Sequence, residues 1–309
     1  MVVWWLDLES HPVTSYERLV AFRRTQPRTP RIDRQTVKAR GIAFAVFSTP
    51  PVAGKPPLVA INGGMIFDHG MLWPALSPLA AHRQIILYDL RGRGETSEPP
   101  NPSEATIDDD AADLGALRRA LGIRQWDVLG HSWGGGIAML GVARDMAGTR
   151  RLITVDAVGP TGDWMPILRR NALDRLQGES RNRLERIDEA ALTSSDPEIH
   201  AEQTQAIYPA WFVDGDMPSR FALPRKLNPT GSAVLARLRT QRYDWRHELS
   251  NISVPALVIH GELDPLPVET STQIASTIPS ATHVVIPAAG HMPFWEAPDV
   301  FFPIVEQFL

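Results

Sequence analysis

The chain contains no cysteine. Disulfides, a thiolate nucleophile and cysteine-containing zinc sites are excluded at once, and a reducing compartment is compatible with that absence. An excess of positive charge is also missing. Its 31 Lys and Arg stand against 35 Asp and Glu, giving a formal charge of −4 and a pI of about 6.1. No strong cationic field exists to hold nucleic acid or anionic lipid, so small-molecule substrates become the default partners. No stretch approaches the roughly 20 apolar residues needed to span a bilayer. The opening Met1 to Leu6 is apolar but short, and Asp7 and Glu9 follow it. It lacks the basic start and long apolar core of a secretory signal, so a cytoplasmic protein is expected. Trp4 and Trp5 read first as packing against the body, with a docking or dimer surface as the alternative. Internal repeats and low-complexity tracts are absent too.

What is present is ordinary for a globular protein: 309 residues, 43% hydrophobic and 21% charged. That length suits one α/β core carrying an insertion. Six short aliphatic runs alternate with helical patterns: Leu58 to Asn62, Gln84 to Leu90, Trp126 to Gly130, Arg151 to Ala157, Ala256 to Gly261 and His283 to Pro287. Most are near-continuous apolar strings, as strands buried on both faces should be. A hairpin near Thr36 to Phe47 is expected to begin the sheet. Helical spacing over Ile107 to Leu121 and Ile137 to Met146 supplies crossover helices. The expected fold is therefore α/β, a mostly parallel sheet flanked by helices. Between about Gly159 and Ile252 the strand-like runs vanish and helical stretches such as Met165 to Leu176 and Ser232 to Leu238 take over. This predicts a core of residues 1–158 and 253–309, with an N-terminal extension over about 1–35 and a helical cap over 159–252.

Gly130-His131-Ser132-Trp133-Gly134 matches G-x-S-x-G between a strand and a glycine-rich helix start. A strained strand-to-helix turn needs minimal side chains on both flanks and pushes the hydroxyl out of the sheet. A serine hydroxyl is a weak nucleophile until a base takes its proton, so a histidine and an orienting acid are required. His291 leaves the carboxyl end of a late strand through Ala288-Ala289-Gly290, the end where ligands gather in such sheets. Asp264 follows the strand Ala256 to His260 in the same way. Glu262 and Asp156 are its rivals, the first early in its loop and the second at a strand end before the cap. His260 and His283 suit core or surface roles better. The chain order Ser, Asp, His is the one associated with this turn. An oxyanion hole would take backbone N–H groups from Trp133 and from Gly64, with Met65 as the alternative, because paired glycines after Asn62 let the backbone approach closely.

These segments resemble the α/β-hydrolase superfamily from about Gly41 onward, and its proline iminopeptidase-like branch in particular. Gly130 to Gly135 is similar to that branch's nucleophile segment. Asn62-Gly63-Gly64 with Phe67-Asp68-His69 looks like its oxyanion loop, and Gly290 to Glu296 resembles the histidine loop of cap-bearing members. The loop Asp89 to Gly94 also resembles a family loop, with a structural role. The resemblance has departures: the branch usually has His-Gly-Gly-Pro at the oxyanion loop, whereas Asn62 and Met65 stand here at the first and last positions. It also implies cap glutamates that hold a free N-terminal amine, often near a tryptophan-glutamate motif. Trp211-Phe212-Val213-Asp214 stands here instead. Glu198 and Glu202 are the candidates for that amine, and Tyr208, Trp211 and Phe212 are candidates to line a pocket.

The expected chemistry is two-step acyl transfer to water on a small ester or amide, with no cofactor and no metal. Carbon–carbon bond hydrolysis or lactone opening on the same triad is the alternative. A ligand-binding receptor without turnover is the rival from another class. The oligomeric state is not encoded in any of these features.

Overall fold

The computed structural model describes residues 14–221 and 223–309. The apolar opening with Trp4 and Trp5 lies outside the described residues. In chain order the elements are α1 (Ser15–Thr25), β1 (Asp33–Ala39), β2 (Ile42–Ser48), β3 (Leu58–Ile61), β4 (Ile85–Tyr88), α2 (Ile107–Ala120), β5 (Trp126–His131), α3 (Trp133–Arg144) and β6 (Thr149–Val155). A helical stretch follows, with α4 (Trp164–Arg175), α5 (Gly178–Arg186), α6 (Glu189–Leu192), α7 (Pro197–Ile207), α8 (Met217–Arg220), α9 (Pro229–Thr240) and α10 (Arg246–Ser250). The chain then returns through β7 (Ala256–Gly261), α11 (Val268–Thr277), β8 (Ala281–Ile286), α12 (Pro293–Glu296) and α13 (Pro298–Phe308).

One eight-stranded sheet runs in the order β1-β2-β4-β3-β5-β6-β7-β8. The β1–β2 hairpin joins it antiparallel through β2 and β4, and every later pairing is parallel. The residue types explain this arrangement. Strands β3 to β7 are almost wholly buried, and their Val, Ile and Leu runs suit a strand covered on both faces. Strand β8 departs from the expected continuous burial, because it is the sheet edge and only Ile286 is fully enclosed.

Helices close both faces. Leu114 and Leu117 of α2, Ile137 and Met139 of α3 and Ile274 of α11 pack against Val59, Val128 and Val258 of the sheet. On the other face Leu19 of α1 and Phe301, Phe302 and Val305 of α13 meet Leu58, Leu129, Ile153 and Leu257. Each such side chain taken out of water contributes about 1.5–3 kcal/mol. Helix α2 begins where expected, since Thr106 Oγ1 accepts from the Asp109 amide and three aspartates occupy the first turn. Helix α3 begins four residues before the expected Ile137, because Gly134, Gly135 and Gly136 form its first turn against the sheet. Between β6 and β7, α4, α5 and α7 share a small core of Ala172, Leu176, Leu184, Ala206 and Ile207.

Candidate active site

Strand β5 ends and α3 begins around a single residue. Ser132 has φ 54° and ψ −120°, the left-handed region that costs a non-glycine residue about 1–3 kcal/mol. Its neighbours hold it there. The Ser132 N–H donates to Val155 O of β6 at 2.9 Å, and its carbonyl accepts from the Gly135 N–H at 2.9 Å. A Cβ placed on Gly134 would lie 2.2 Å from the carbonyl oxygen of Ile61, so no other residue fits that flank. The serine side chain therefore stands at the carboxyl end of the sheet, at the N-terminus of α3. Trp133 is the first residue of that helix, and its N–H has no intrahelical acceptor. Such amides favour developing negative charge.

The loop leaving β3 lies directly against this turn. A Cβ on Gly63 would come within 2.7 Å of the Ser132 Cβ, so glycine is what allows the approach. The Gly64 N–H donates to no acceptor among the described residues. Met65 is anchored from behind: its carbonyl accepts from Arg93 Nε at 3.0 Å, and the wholly buried Arg93 guanidinium also grips both oxygens of Asp110 at 3.0 Å. The Asp89 to Gly94 loop is thus a brace for the Gly63–Met65 loop. Lys226, between α8 and α9, holds Asp68 of the same loop at 2.7 Å.

His291 follows β8, and Asp264 follows β7. Their side chains meet at 2.7 Å, Nδ1 to Oδ2, while Asp264 Oδ1 accepts from the Leu266 N–H at 2.8 Å. Burial pushes the imidazole down to about 4, which leaves it neutral near pH 7 and able to accept a proton. Burial pushes the Asp264 carboxyl up from its ordinary value, and hydrogen bonds from Asp156 and the Leu266 amide oppose that rise. Of the rivals, Glu262 accepts from the Ala288 amide at the surface, and Asp156 accepts from the Gly261 amide at 2.7 Å. Neither makes the contact to His291 Nδ1.

Ser132, Trp133, Gly64, Met65, Trp211 and His291 all line one cavity of about 350 Å³. No hydrogen bond joins Ser132 Oγ to His291 among the described residues, where the partners of His291 are Asp264, His131 and Trp211. Three residues suggested by the sequence stand apart from the lining. Glu202 is paired with Arg183 at 2.6 Å, Tyr208 donates its hydroxyl to Phe221 O at 2.5 Å, and Phe212 stacks on Trp295. Glu198 is paired with Arg225 at the surface. Each is engaged by a different segment of the helical stretch or by α12, and none of the four is among the residues that line this cavity.

Three potential metal ligands, Asp156, His260 and Asp264, converge behind His291, with ligand atoms within 4.8 Å of one another. Existing hydrogen bonds occupy much of their capacity. Asp156 Oδ1 accepts from Gly261, His260 Nε2 meets Leu266 O at 3.0 Å, and Asp264 serves His291 and Leu266. Asp156 Oδ2 has no donor among the described residues. Burial, reinforced by the nearby Asp264 charge, pushes the Asp156 carboxyl well above the ordinary carboxylate range. Asp156 sits at φ 45°, a conformation that aspartate tolerates better than most residues.

Glu296 is a further structural contributor. Fully buried, it accepts from the Val213 N–H at 2.7 Å and the Gly290 N–H at 2.8 Å, clamping the segment before His291 to the 211–213 segment. The His291 N–H in turn donates to Trp211 O at 2.9 Å. Its place five residues after His291 was visible in the sequence, but the clamp depends on a segment some eighty residues earlier. The cavity wall also holds Trp164, Met165, Leu168 and Arg169 of α4, whose spacing along one helical face was the available sequence signal.

Comparison with known proteins bears on this arrangement. Residues 56–298 match the family model described as alpha/beta hydrolase fold. A proline iminopeptidase of Heyndrickxia coagulans is 25% identical over 268 residues, covering 83% of this chain and 91% of that protein. The enol-lactonase from Burkholderia xenovorans LB400 superposes with a TM-score of 0.67 at 23% identity, covering 89% of this chain and 99% of the other. A thermophilic esterase from Thermogutta terrifontis gives 0.65 at 24% identity, covering 89% and 97%. These two structural likenesses concern the fold alone.

Proposed function

The chain belongs to the α/β hydrolase fold family, and on that premise we propose that it is a serine hydrolase acting on a small ester, with Ser132, His291 and Asp264 as its catalytic residues. The observation that carries this reading is the convergence of a left-handed serine turn and a buried His291–Asp264 pair on one cavity beneath the Gly63–Met65 loop. Ser132 Oγ attacks the substrate carbonyl while His291 Nε2 takes its proton, and the Ser132–His291 contact tightens when substrate engages. Negative charge on the carbonyl oxygen rests on the Gly64 and Trp133 amides. The imidazolium returns its proton to the leaving group, and water then releases the acid from Ser132 by the reverse sequence. Asp264 holds the imidazole tautomer that makes this work.

An amine-bearing peptide substrate, as the proline iminopeptidase relatives suggest, is the second reading. A free amino terminus needs a counter-charge, and among the described residues no carboxylate lines the cavity. Ester or lactone hydrolysis is therefore favoured over aminopeptidase action. The test is a fluorophosphonate probe with mass mapping, followed by turnover of p-nitrophenyl butyrate and proline p-nitroanilide. Labelling at Ser132 with ester turnover abolished in Ser132→Ala supports the proposal. An unlabelled chain, or full turnover by that variant, overturns it and favours a binding protein on this scaffold.

A further inference from the structure

The cavity lining combines aliphatic side chains with two cationic ones. Leu168, Leu184, Leu192 and Leu235 form aliphatic wall, and Arg169 of α4 and Arg239 of α9 bring two guanidinium groups to the same enclosure. Neither arginine forms an ion pair with a carboxylate among the described residues; their acceptors are neutral. Arg169 Nη2 donates to Leu184 O at 2.8 Å and to Ile187 O at 2.6 Å. Arg239 Nη1 donates to Leu192 O at 2.9 Å, and its Nη2 to Gln203 Oε1 at 2.7 Å. Arg169 Nη1 is buried and has no acceptor among the described residues.

Two like charges in one enclosure, with no carboxylate among the described residues to balance them, are costly unless something supplies an anion. The cost is visible in Arg239, which burial and the neighbouring Arg169 push down to about 10. Capping of the nearby helix ends accounts for part of the geometry, since Leu184 and Leu192 lie in the last turns of α5 and α6. Capping alone, however, requires neither two cations facing one cavity nor a buried N–H without an acceptor. The same carbonyl contacts hold the guanidinium planes in place before any ligand arrives, which lowers the entropic cost of gripping one. A planar fork of donors matches a carboxylate in bidentate geometry.

Building on the serine hydrolase reading, we infer that the Arg169–Arg239 pair is a subsite for a carboxylate, and that the preferred substrate is an ester or lactone bearing that carboxylate across an aliphatic spacer from the scissile bond. The substrate then lies with its carbonyl on Ser132 and its methylenes against the leucines. Its anionic end meets the unpartnered guanidinium hydrogens.

The experiment compares three p-nitrophenyl esters of matched length: the adipate half-ester, its methyl-capped neutral counterpart and the cationic 6-aminohexanoate. The expected wild-type kcat/KM favours the anionic ester over the neutral one by about tenfold or more, with most of the difference in KM, and places the cationic ester last. Arg169→Gln and Arg239→Gln each reduce the anionic-to-neutral ratio about tenfold, and the Lys variants restore part of it. A purely structural cap role would instead lower turnover of both esters alike and leave the ratio unmoved, which overturns the inference. Should a Gln variant fail to fold, inhibition of the wild-type protein decides: adipate competing at least tenfold better than adipamide supports the subsite, and equal inhibition removes it. Failure of the underlying reading looks different, because then no ester is turned over and Ser132 escapes the fluorophosphonate.

Discussion

Replacing Glu296 by Gln tests whether a buried carboxylate clamps the histidine loop. Burial raises this carboxyl from 4.5 to about 7 against the pull of the Val213 and Gly290 amides. Because the folded value lies above the unfolded one, the folded chain binds more protons between them. The stability contributed by this group is fully present below about 4.5 and is lost as pH rises through about 7. A shift of roughly 2.5 units at about 1.36 kcal/mol each corresponds to about 3 kcal/mol across that window. Glutamine does not titrate, so the wild-type minus Glu296→Gln difference in unfolding free energy should rise by up to about 3 kcal/mol as pH falls from about 7.5 to 4.5. Other titrating groups cancel in that difference. The measurement is urea denaturation of both proteins at four pH values, read by far-ultraviolet circular dichroism. A difference that stays flat to within about 0.5 kcal/mol would refute the assignment of this burial cost to Glu296. Activity reports the clamp separately. Glutamine can accept from only one of the two amides with its oxygen, and the stranded N–H displaces Gly290 and with it His291, so kcat should fall at neutral pH while KM changes little.

Further outcomes follow from the same geometry. Asp264→Asn should lower kcat by about 10⁴-fold in ester turnover, through loss of the imidazole tautomer, with little change in fold by circular dichroism; a loss under tenfold would count against its role. Asp156→Asn keeps the side-chain shape and offers an uncharged amide donor beside Asp264, and should retain most activity, whereas Asp156→Ala should lose tenfold or more; equal behaviour of the two would show that a donor at this position is irrelevant. Gly134→Ala drives a methyl into the Ile61 carbonyl and should cost about 3 kcal/mol of stability and about a hundredfold in kcat, measured by denaturation and steady-state kinetics. Asp110→Ala strands the buried Arg93 charge and should destabilise the fold by about 3–5 kcal/mol, with a replacement that unfolds at wild-type denaturant concentration arguing against the brace.

Local chemistry along the chain determined the sheet, its crossover helices and the Ser132 turn. A strand covered on both faces must be apolar throughout, and a turn packed against the Ile61 carbonyl must carry glycine at 134, so both constraints are written where they act. The placement of Asp264 and His291 at strand ends was legible for a related reason. Parallel strands deliver their following loops to one rim of the sheet, and those two side chains do meet at 2.7 Å.

Only the tertiary structure decided what surrounds that rim. Helical periodicity specifies which residues of a helix between β6 and β7 share a face, but it says nothing about which face turns toward the cavity. Glu202 was the sequence candidate and Arg169 was not, yet with α4, α5 and α7 packed around Leu184 and Ile207 the glutamate pairs with Arg183 and the arginine lines the cavity wall. The same holds for Glu296, whose partner amides at Val213 and Gly290 come from separate segments of the chain. Contacts between distant segments depend on the relative placement of whole elements, a quantity set by the sum of many side-chain contacts and carried by no single local pattern.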